Sequence, residues 1–341
     1  MKRKIVVGII LLFVALGIWQ YQLIYYGYVQ AKGQLTIIRD AKPLEEYLEN
    51  KNYPDSLKKK IEFIQEVKKF AFDELGINQT ENYSSMYDQG GKPLMWVVTA
   101  CAPFAMEAKT WSFPVIGSFP YKGFFDPEMA KAEMDKTKQE GLDVGIRNPG
   151  GWSTLGWFND PILSEMLNRN YGQLAELIIH ELTHSTIFMK DSITFNENLA
   201  SFIGHKGAVL FLKKKYGESS VHLKEYLNEE KDYEAFVQHF ISGASLLDTL
   251  YKSIPQSLEV EKKRKLKDSL IHEIINNIDT LGLSNKNLID EMFIELPNNT
   301  YFMSFLRYRS KQSDFEREFE KDFNEDLKAY IFYYKSKYPF L

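Results

Sequence analysis

Cysteine is nearly absent from this sequence: Cys101 is the only one in 341 residues. No internal disulfide can form, so the fold is held by its core and not by cross-links. Excess positive charge is missing too. Lys and Arg number 42 against 46 Asp and Glu, a net charge of -4, which excludes the broad basic footprint of a nucleic-acid-binding protein. Proline is sparse and scattered, and there is no internal repeat, Pro-rich linker or low-complexity block, so nothing marks a solenoid or a string of tethered modules. Histidine is scarce, with 6 in the chain, which gives weight to any two at a meaningful spacing. Aromatic residues, by contrast, make up 14% of the chain and can furnish a well-packed core.

Lys2, Arg3 and Lys4 precede IVVGIILLFVALGIW, fifteen residues without a charged or polar side chain, and the uncharged run continues to Gln30. That length and its basic flank predict an uncleaved transmembrane helix over residues 5 to about 26, with Trp19, Tyr21, Tyr25 and Tyr26 at the interface. The alternative is a signal sequence cleaved at Ala15-Leu16-Gly17, which would leave a secreted protein. The expected division is an anchor or signal segment at 1–30 and one domain at 31–341, held at the cell membrane by a single pass and facing away from the cytoplasm. About 310 residues suffice for one large domain or two lobes.

Periodicity and turn signals give helices at about 42–75, strands and turns over 93–125, and a helix at 127–140 opened by Asp126-Pro127. Two helices follow over 171–215, broken at Lys190-Asp191, and mostly helices fill 220–341. The expected fold is α+β and predominantly helical, with a small segregated sheet. WSFPVIGSF, residues 111–119, reads equally as an edge strand able to hold an extended peptide and as an ordinary hairpin.

HELTH at 180–184 places two histidines four residues apart. An α-helix stacks such residues on one face, so His180 and His184 could reach a single metal ion. Glu181 lies about 100° round the helix, a poor position for a ligand but a good one for a general base acting on water at the ion. Leu174, Leu177, Ile178 and Leu182 give the segment an apolar side, and histidines among apolar residues are costly to bury unless paired or bound to metal.

Catalytic zinc takes three protein ligands, and the chain must supply a third. The HExxHxxGxxH arrangement would need glycine at 187 and histidine at 190, where Ile187 and Lys190 stand. TFNENLASFIGHKGAVLFL after the break offers Glu197 as its first acidic residue, with Ala200 one turn later permitting close packing on the His180 helix. Thr194-Phe195-Asn196-Glu197 also reads as a capping box, in which the glutamate only closes a helix start. Asp191 is nearer in sequence but belongs to the turn. His205 lies two turns beyond Glu197 on a similar face, and His222, His239 and His272 show no ligand spacing.

HELTH followed by FNENLASF resembles a bacterial family of putative aminopeptidases, predicted zinc metallopeptidases whose motif reads roughly HELAHQ and then FNESFA. The likeness extends, in family order, to YYGYVQAKGQL at 25–35, TWSFPVIGSFPYKGFFD at 110–126, STLGWFNDPIL at 153–163 and LPNNTYFMSFLRY at 296–308. It covers nearly the whole chain from Tyr25. The resemblance implies His180, His184 and Glu197 as ligands of one Zn2+ per chain, Glu181 as the base, and a peptide substrate. Two departures stand out. Members commonly carry a lipoprotein-type cysteine at the end of the signal sequence, which Cys101 cannot supply, so lipid anchoring is not implied; and Ser118 stands where a cysteine is expected.

The expected activity is that of a membrane-anchored zinc peptidase, an aminopeptidase by the resemblance, in which Glu181 takes a proton from the attacking water and delivers it to the leaving amine. Tyr308, Tyr121 and Tyr301 are candidate oxyanion donors, and Asn196 is a candidate for orienting a ligand. Ala105-Met106-Glu107 matches an ammonium-binding signature too faintly to be used. An amidase on cell-wall peptides would use the same residues. A non-catalytic tethered binding protein, its two helices braced by metal, would have no use for a base at Glu181.

Overall fold

A computed structural model of the chain describes residues 20–113, 117–149, 158–190, 192–284 and 296–340. It opens with helix α1 (Tyr21–Asp40), strand β1 (Lys42–Pro43), the short helix α2 (Leu44–Leu48) and α3 (Asp55–Phe70), which widens into a π-helical turn at Ala71–Leu75. Strands β2 (Ser85–Tyr87), β3 (Trp96–Cys101), β4 (Trp111–Phe113), β5 (Gly117–Phe119) and β6 (Lys122–Phe124) follow. Helix α4 (Pro127–Gln139) starts where Asp126 accepts from the N–H groups of Glu128 and Met129, with Pro127 in the first turn. Strands β7 (Asp143–Arg147) and β8 (Ile162–Leu163) complete the extended part. Beyond them come α5 (Tyr171–His184), α6 (Ile193–Tyr216), α7 (Val221–Ser253), α8 (Val260–Asn276), α9 (Asn299–Arg309), α10 (Gln312–Phe323) and α11 (Leu327–Lys337).

The chain is thus mostly helical with small sheets. In one sheet β2 lies between β1, to which it is antiparallel, and β8, to which it is parallel. In the other β3 is flanked antiparallel by β6 and β7. Within 111–119 the described strands β4 and β5 pair antiparallel with each other, Trp111 opposite Phe119, as in a hairpin, and each keeps a free edge in this two-stranded sheet.

Three apolar clusters hold these elements. The largest gathers α3, α5, α6, α10 and α11, including Ile61, Ile178, Ile203 and Tyr330. A second joins α7, α8 and α9 through Phe236, Phe240, Ile274 and Phe302. The third lies under β3, β6 and β7, where Val98, Phe124 and Ala130 are buried.

The expected transmembrane helix is corrected. Among the described residues no helix is long and apolar enough to cross a membrane. Residues 1–19, with the basic cluster and most of the apolar run, lie outside the described residues. Tyr26 was expected at a membrane interface, but it docks α1 onto the third cluster. Its hydroxyl donates to the carbonyl of Gly123 at 2.9 Å, and its ring meets Phe124 edge-on at 5.5 Å and stacks with Phe113 at 5.9 Å. The helix then runs unbroken through residue 30 and takes in Lys32, Arg39 and Asp40, so the described helix carries charge along its second half.

Helices α5 and α6 form the most extensive helix pair, and small residues set their separation. Ala200, Gly204, Gly207 and Ala208 are buried along α6. A Cβ on Gly204 would fall 2.9 Å from the carbonyl oxygen of Glu176 and 3.2 Å from the Cβ of His180. Helix propensity favours alanine over glycine by roughly 0.5–1 kcal/mol, whereas overpacking a filled contact costs about 1–3 kcal/mol. Crowding should win. Gly204→Ala is expected to lower the urea midpoint, while Gly27→Ala in α1, where a Cβ meets nothing within 4 Å, should leave it unchanged or slightly higher. A raised midpoint for Gly204→Ala would show that the helices are not in tight contact.

Candidate metal centre

Asn170 starts α5 by accepting from the N–H of Gln173 at 2.9 Å, and the helix buries Leu174, Ala175, Ile178, Ile179 and Leu182. His180 and His184 emerge at the edge of that face with side chains 16% and 14% exposed. Their rings meet edge-on, Nε2 to Nε2 at 3.1 Å.

The capping-box alternative for Glu197 is not what forms. Helix α6 already begins at Ile193, so Thr194 and Glu197 lie within it, and Ser192 at its cap makes no side-chain capping bond. Glu197 turns toward α5 instead, its Oε2 3.5 Å from Nε2 of both histidines. Among the described residues these three side chains form the one group able to offer three donor atoms to an ion, all within 4.8 Å of one another. Zinc bonds of 2.0–2.1 Å in a tetrahedron place ligand atoms about 3.3 Å apart. The observed 3.1, 3.5 and 3.5 Å bracket that value, so the donor set fits the ion.

The electrostatics agree with a site built for a cation. Burial alone would raise the Glu197 carboxyl, but the charges and hydrogen bonds of His184 and His180 outweigh it and hold the group well below the usual carboxylate range. Burial lowers His184, yet Glu197 and Glu181 together push it above its ordinary value. Glu181 is raised, chiefly by burial and further by Glu197 and Asp160, against the pull of the two histidines. A raised carboxyl is better matched to proton transfer near neutral pH. Ser201, one turn after Glu197, brings its Oγ to 3.5 Å from Nδ1 of His180, on the ring edge away from the donor cluster.

The other sequence candidates separate. Tyr121 is half-buried, and its phenol is pushed up to about 12 by burial and by the nearby Glu197 carboxylate. Tyr308 accepts a bond from Nη2 of Arg147 at 3.1 Å. Tyr301 packs on Phe240 and Phe305 in the second apolar cluster. Asn196 closes a two-bond ring with Met189, accepting from its N–H and donating to its carbonyl, each at 2.8 Å, and so fixes the turn between α5 and α6. His205 bonds Tyr226 at 2.9 Å, His239 meets the carbonyl of Ile274 at 2.7 Å, His222 sits against Tyr171 and Tyr216, and His272 is exposed. Asp191 lies outside the described residues. Glu107 is exposed in the turn after β3, Ser118 bonds Ser112 across the hairpin at 2.7 Å, and Cys101 is buried with its thiol pushed up to about 12 by burial.

Several residues had no motif to betray them. Asn198 is fully buried; its Nδ2 donates to the carbonyl of Arg307 at 2.6 Å, and its Oδ1 accepts from the N–H of Lys311 at 2.8 Å. It thereby ties the end of α9 to the turn of α6 that carries Glu197. At the other end of α9, Asn298 donates to the carbonyl of Val144 at 3.0 Å, and Asn299 donates from its side chain to the carbonyl of Ala102 and from its backbone to Asp143, both at 3.0 Å. The paired asparagines of the 296–308 block thus anchor α9 on β7 and the end of β3.

Metal content tests the ligand set. The chain should retain about one zinc after dialysis, and His184→Ala should abolish this in elemental analysis. Glu197→Gln should weaken zinc binding while leaving the helix content intact, because a neutral amide oxygen is a poorer ligand. Full zinc retention in either variant would remove that residue from the site.

A family model described as putative aminopeptidase matches residues 25–336, from α1 into α11 and across both helices of the metal centre. No curated protein and no solved structure matches the chain. With nearly its whole length matched, and a metal-capable triad with a partly buried glutamate beside it in the matched region, the chain belongs to the putative aminopeptidase family, whose description points to peptidase activity.

Proposed function

We propose that the protein is a zinc peptidase that hydrolyses peptide bonds at the His180, His184 and Glu197 centre with Glu181 as general base. The observation that carries this reading is three donor atoms at zinc spacing with a partly buried, raised carboxyl on Glu181, the residue after His180 on the same helix. A metal that merely braced α5 and α6 would leave Glu181 without a role. When bound, zinc supplies a Lewis acid that polarises a carbonyl and eases deprotonation of water. Glu181 accepts the proton of the attacking water and returns it to the departing amine. Tyr121 keeps its proton at neutral pH, since burial and Glu197 push its phenol to about 12, and it can donate to the oxyanion that develops. Tyr308 receives its bond from Arg147, leaving its own proton free to be donated in the same way.

Glu181→Gln is expected to keep its zinc and to lose roughly 10²- to 10⁴-fold in turnover, the usual share of general acid–base catalysis. Zinc content and peptide hydrolysis measured on the same preparations decide the matter. Full activity in Glu181→Gln would remove the base, and a zinc-loaded wild type that cleaves no member of a free and amino-blocked peptide library would reduce the metal to a brace.

A further inference from the structure

Arg307 is 92% hidden from solvent, with 8% exposure, yet among the described residues no carboxylate lies within ion-pairing distance of it. The contrast with its neighbours in α9 and α8 is sharp. Arg309 pairs with Glu176 at 3.1 Å and approaches Glu230 at 3.7 Å, and the buried Lys267 pairs with Asp143. A buried guanidinium is costly unless an anion offsets the lost hydration, so an unpaired one marks a place where an anion is expected to arrive.

The position of Arg307 says which anion. Its backbone carbonyl is held by Asn198, the residue after Glu197, and its guanidinium lies over the ring of Tyr121 at 5.8 Å. The Glu197 carboxylate acts on both Tyr121 and Arg307, so both lie within its electrostatic reach. Arg147 at the end of β7 approaches the same group: its guanidinium lies 5.5 Å over the ring of Tyr308 and bonds its hydroxyl, and its charge opposes that of Arg307. Two guanidinium groups are thus held near one another by phenol rings, with no carboxylate paired to either among the described residues. Glu197 is the carboxylate that helps Arg307 most nearly, and a zinc ion would claim its charge.

We infer that Arg307, assisted by Arg147, forms an anion-binding subsite near the metal centre, and that the preferred substrates are peptides placing a carboxylate there. This rests on the peptidase reading of the same centre. The carboxylate is either the free carboxyl terminus or an Asp or Glu side chain near the scissile bond; guanidinium grips either through paired N–H donors. Productive binding then needs the carboxylate within a residue or two of the cleaved bond, which a peptide offers at its carboxyl end or at an Asp or Glu residue.

Binding is read first on the zinc-free full chain, so that metal coordination cannot account for it. By calorimetry the wild type should bind N-acetylalanine at least roughly 10-fold more tightly than N-acetylalaninamide, the effect expected of one charged hydrogen-bonded contact. Arg307→Gln should erase that preference and Arg307→Lys should keep part of it. Arg147→Gln, at an exposed position, should weaken it without threatening the fold. Kinetics on the zinc-loaded chain identify the source: trialanine cleaved faster than trialanine amide points to the terminus, and rescue of the amide by a central aspartate points to the side chain. In Arg307→Gln these differences should collapse. Equal binding of acid and amide by the wild type would overturn the subsite, as would a preference that survives Arg307→Gln or an equal loss on acid and amide substrates. Acid binding that depends on Arg307 in a chain that cleaves none of these peptides would uphold the subsite and overturn the peptidase reading instead.

Discussion

The Cβ that Gly204 lacks would sit 2.9 Å from the carbonyl of Glu176, and that missing atom allows α5 and α6 to cross closely enough for one carboxylate to meet two imidazoles. A glutamate side chain reaches only a few ångströms, and Glu197 is already 3.5 Å from each histidine nitrogen. Pushing the helices apart by the width of a methyl group would take the third donor out of range. Ala200, Ser201 and Ala208 share the task, so the sequence between Glu197 and Ala208 carries the candidate metal ligand at one end and small residues for close packing along its length.

Below the donor cluster a second polar layer keeps α5 in register. Glu176, one turn before His180, accepts from Tyr226 at 3.0 Å and pairs with Arg309 at 3.1 Å, while Tyr226 also meets His205 at 2.9 Å. Helices α5, α6, α7 and α9 are joined by this one network. Glu230 at its margin is pushed up to about 8, mainly by burial and then by Glu176, so a single guanidinium serves two carboxyls. Buried networks of this kind add little net stability but penalise any arrangement that leaves a member unpaired. Here they fix the rotation of α5, and with it the direction in which both histidines point.

How much of this was legible in the sequence depends on how local the signal is. His180, Glu181 and His184 lie within one helical turn, and helix geometry alone brings the histidines together. Glu197 required a choice between a ligand and a cap; the start of α6 at Ile193 settles its position in the helix, a detail of one turn that residue types do not decide. Arg307 and Arg147 come from a helix and a strand 160 residues apart in the chain, brought together by asparagine contacts with no sequence pattern. Tyr301 and Tyr308 share a sequence block, in which Tyr308 is the favoured donor, and seven positions along a helix put Tyr301 in an apolar cluster and Tyr308 against Arg147. The amino-terminal aromatics misled for a different reason: a tyrosine at a membrane interface and a tyrosine docking a helix on its own domain have the same flanks.

The most direct test of the account is the zinc K-edge absorption spectrum of the zinc-loaded full chain. The proposed zinc centre predicts a four-coordinate shell of nitrogen and oxygen donors at about 2.0–2.1 Å, with the outer-shell scattering of two imidazoles and no sulfur contribution. A six-coordinate oxygen shell without imidazole scattering, or a sulfur donor, would contradict the assignment of His180, His184 and Glu197 as the metal centre.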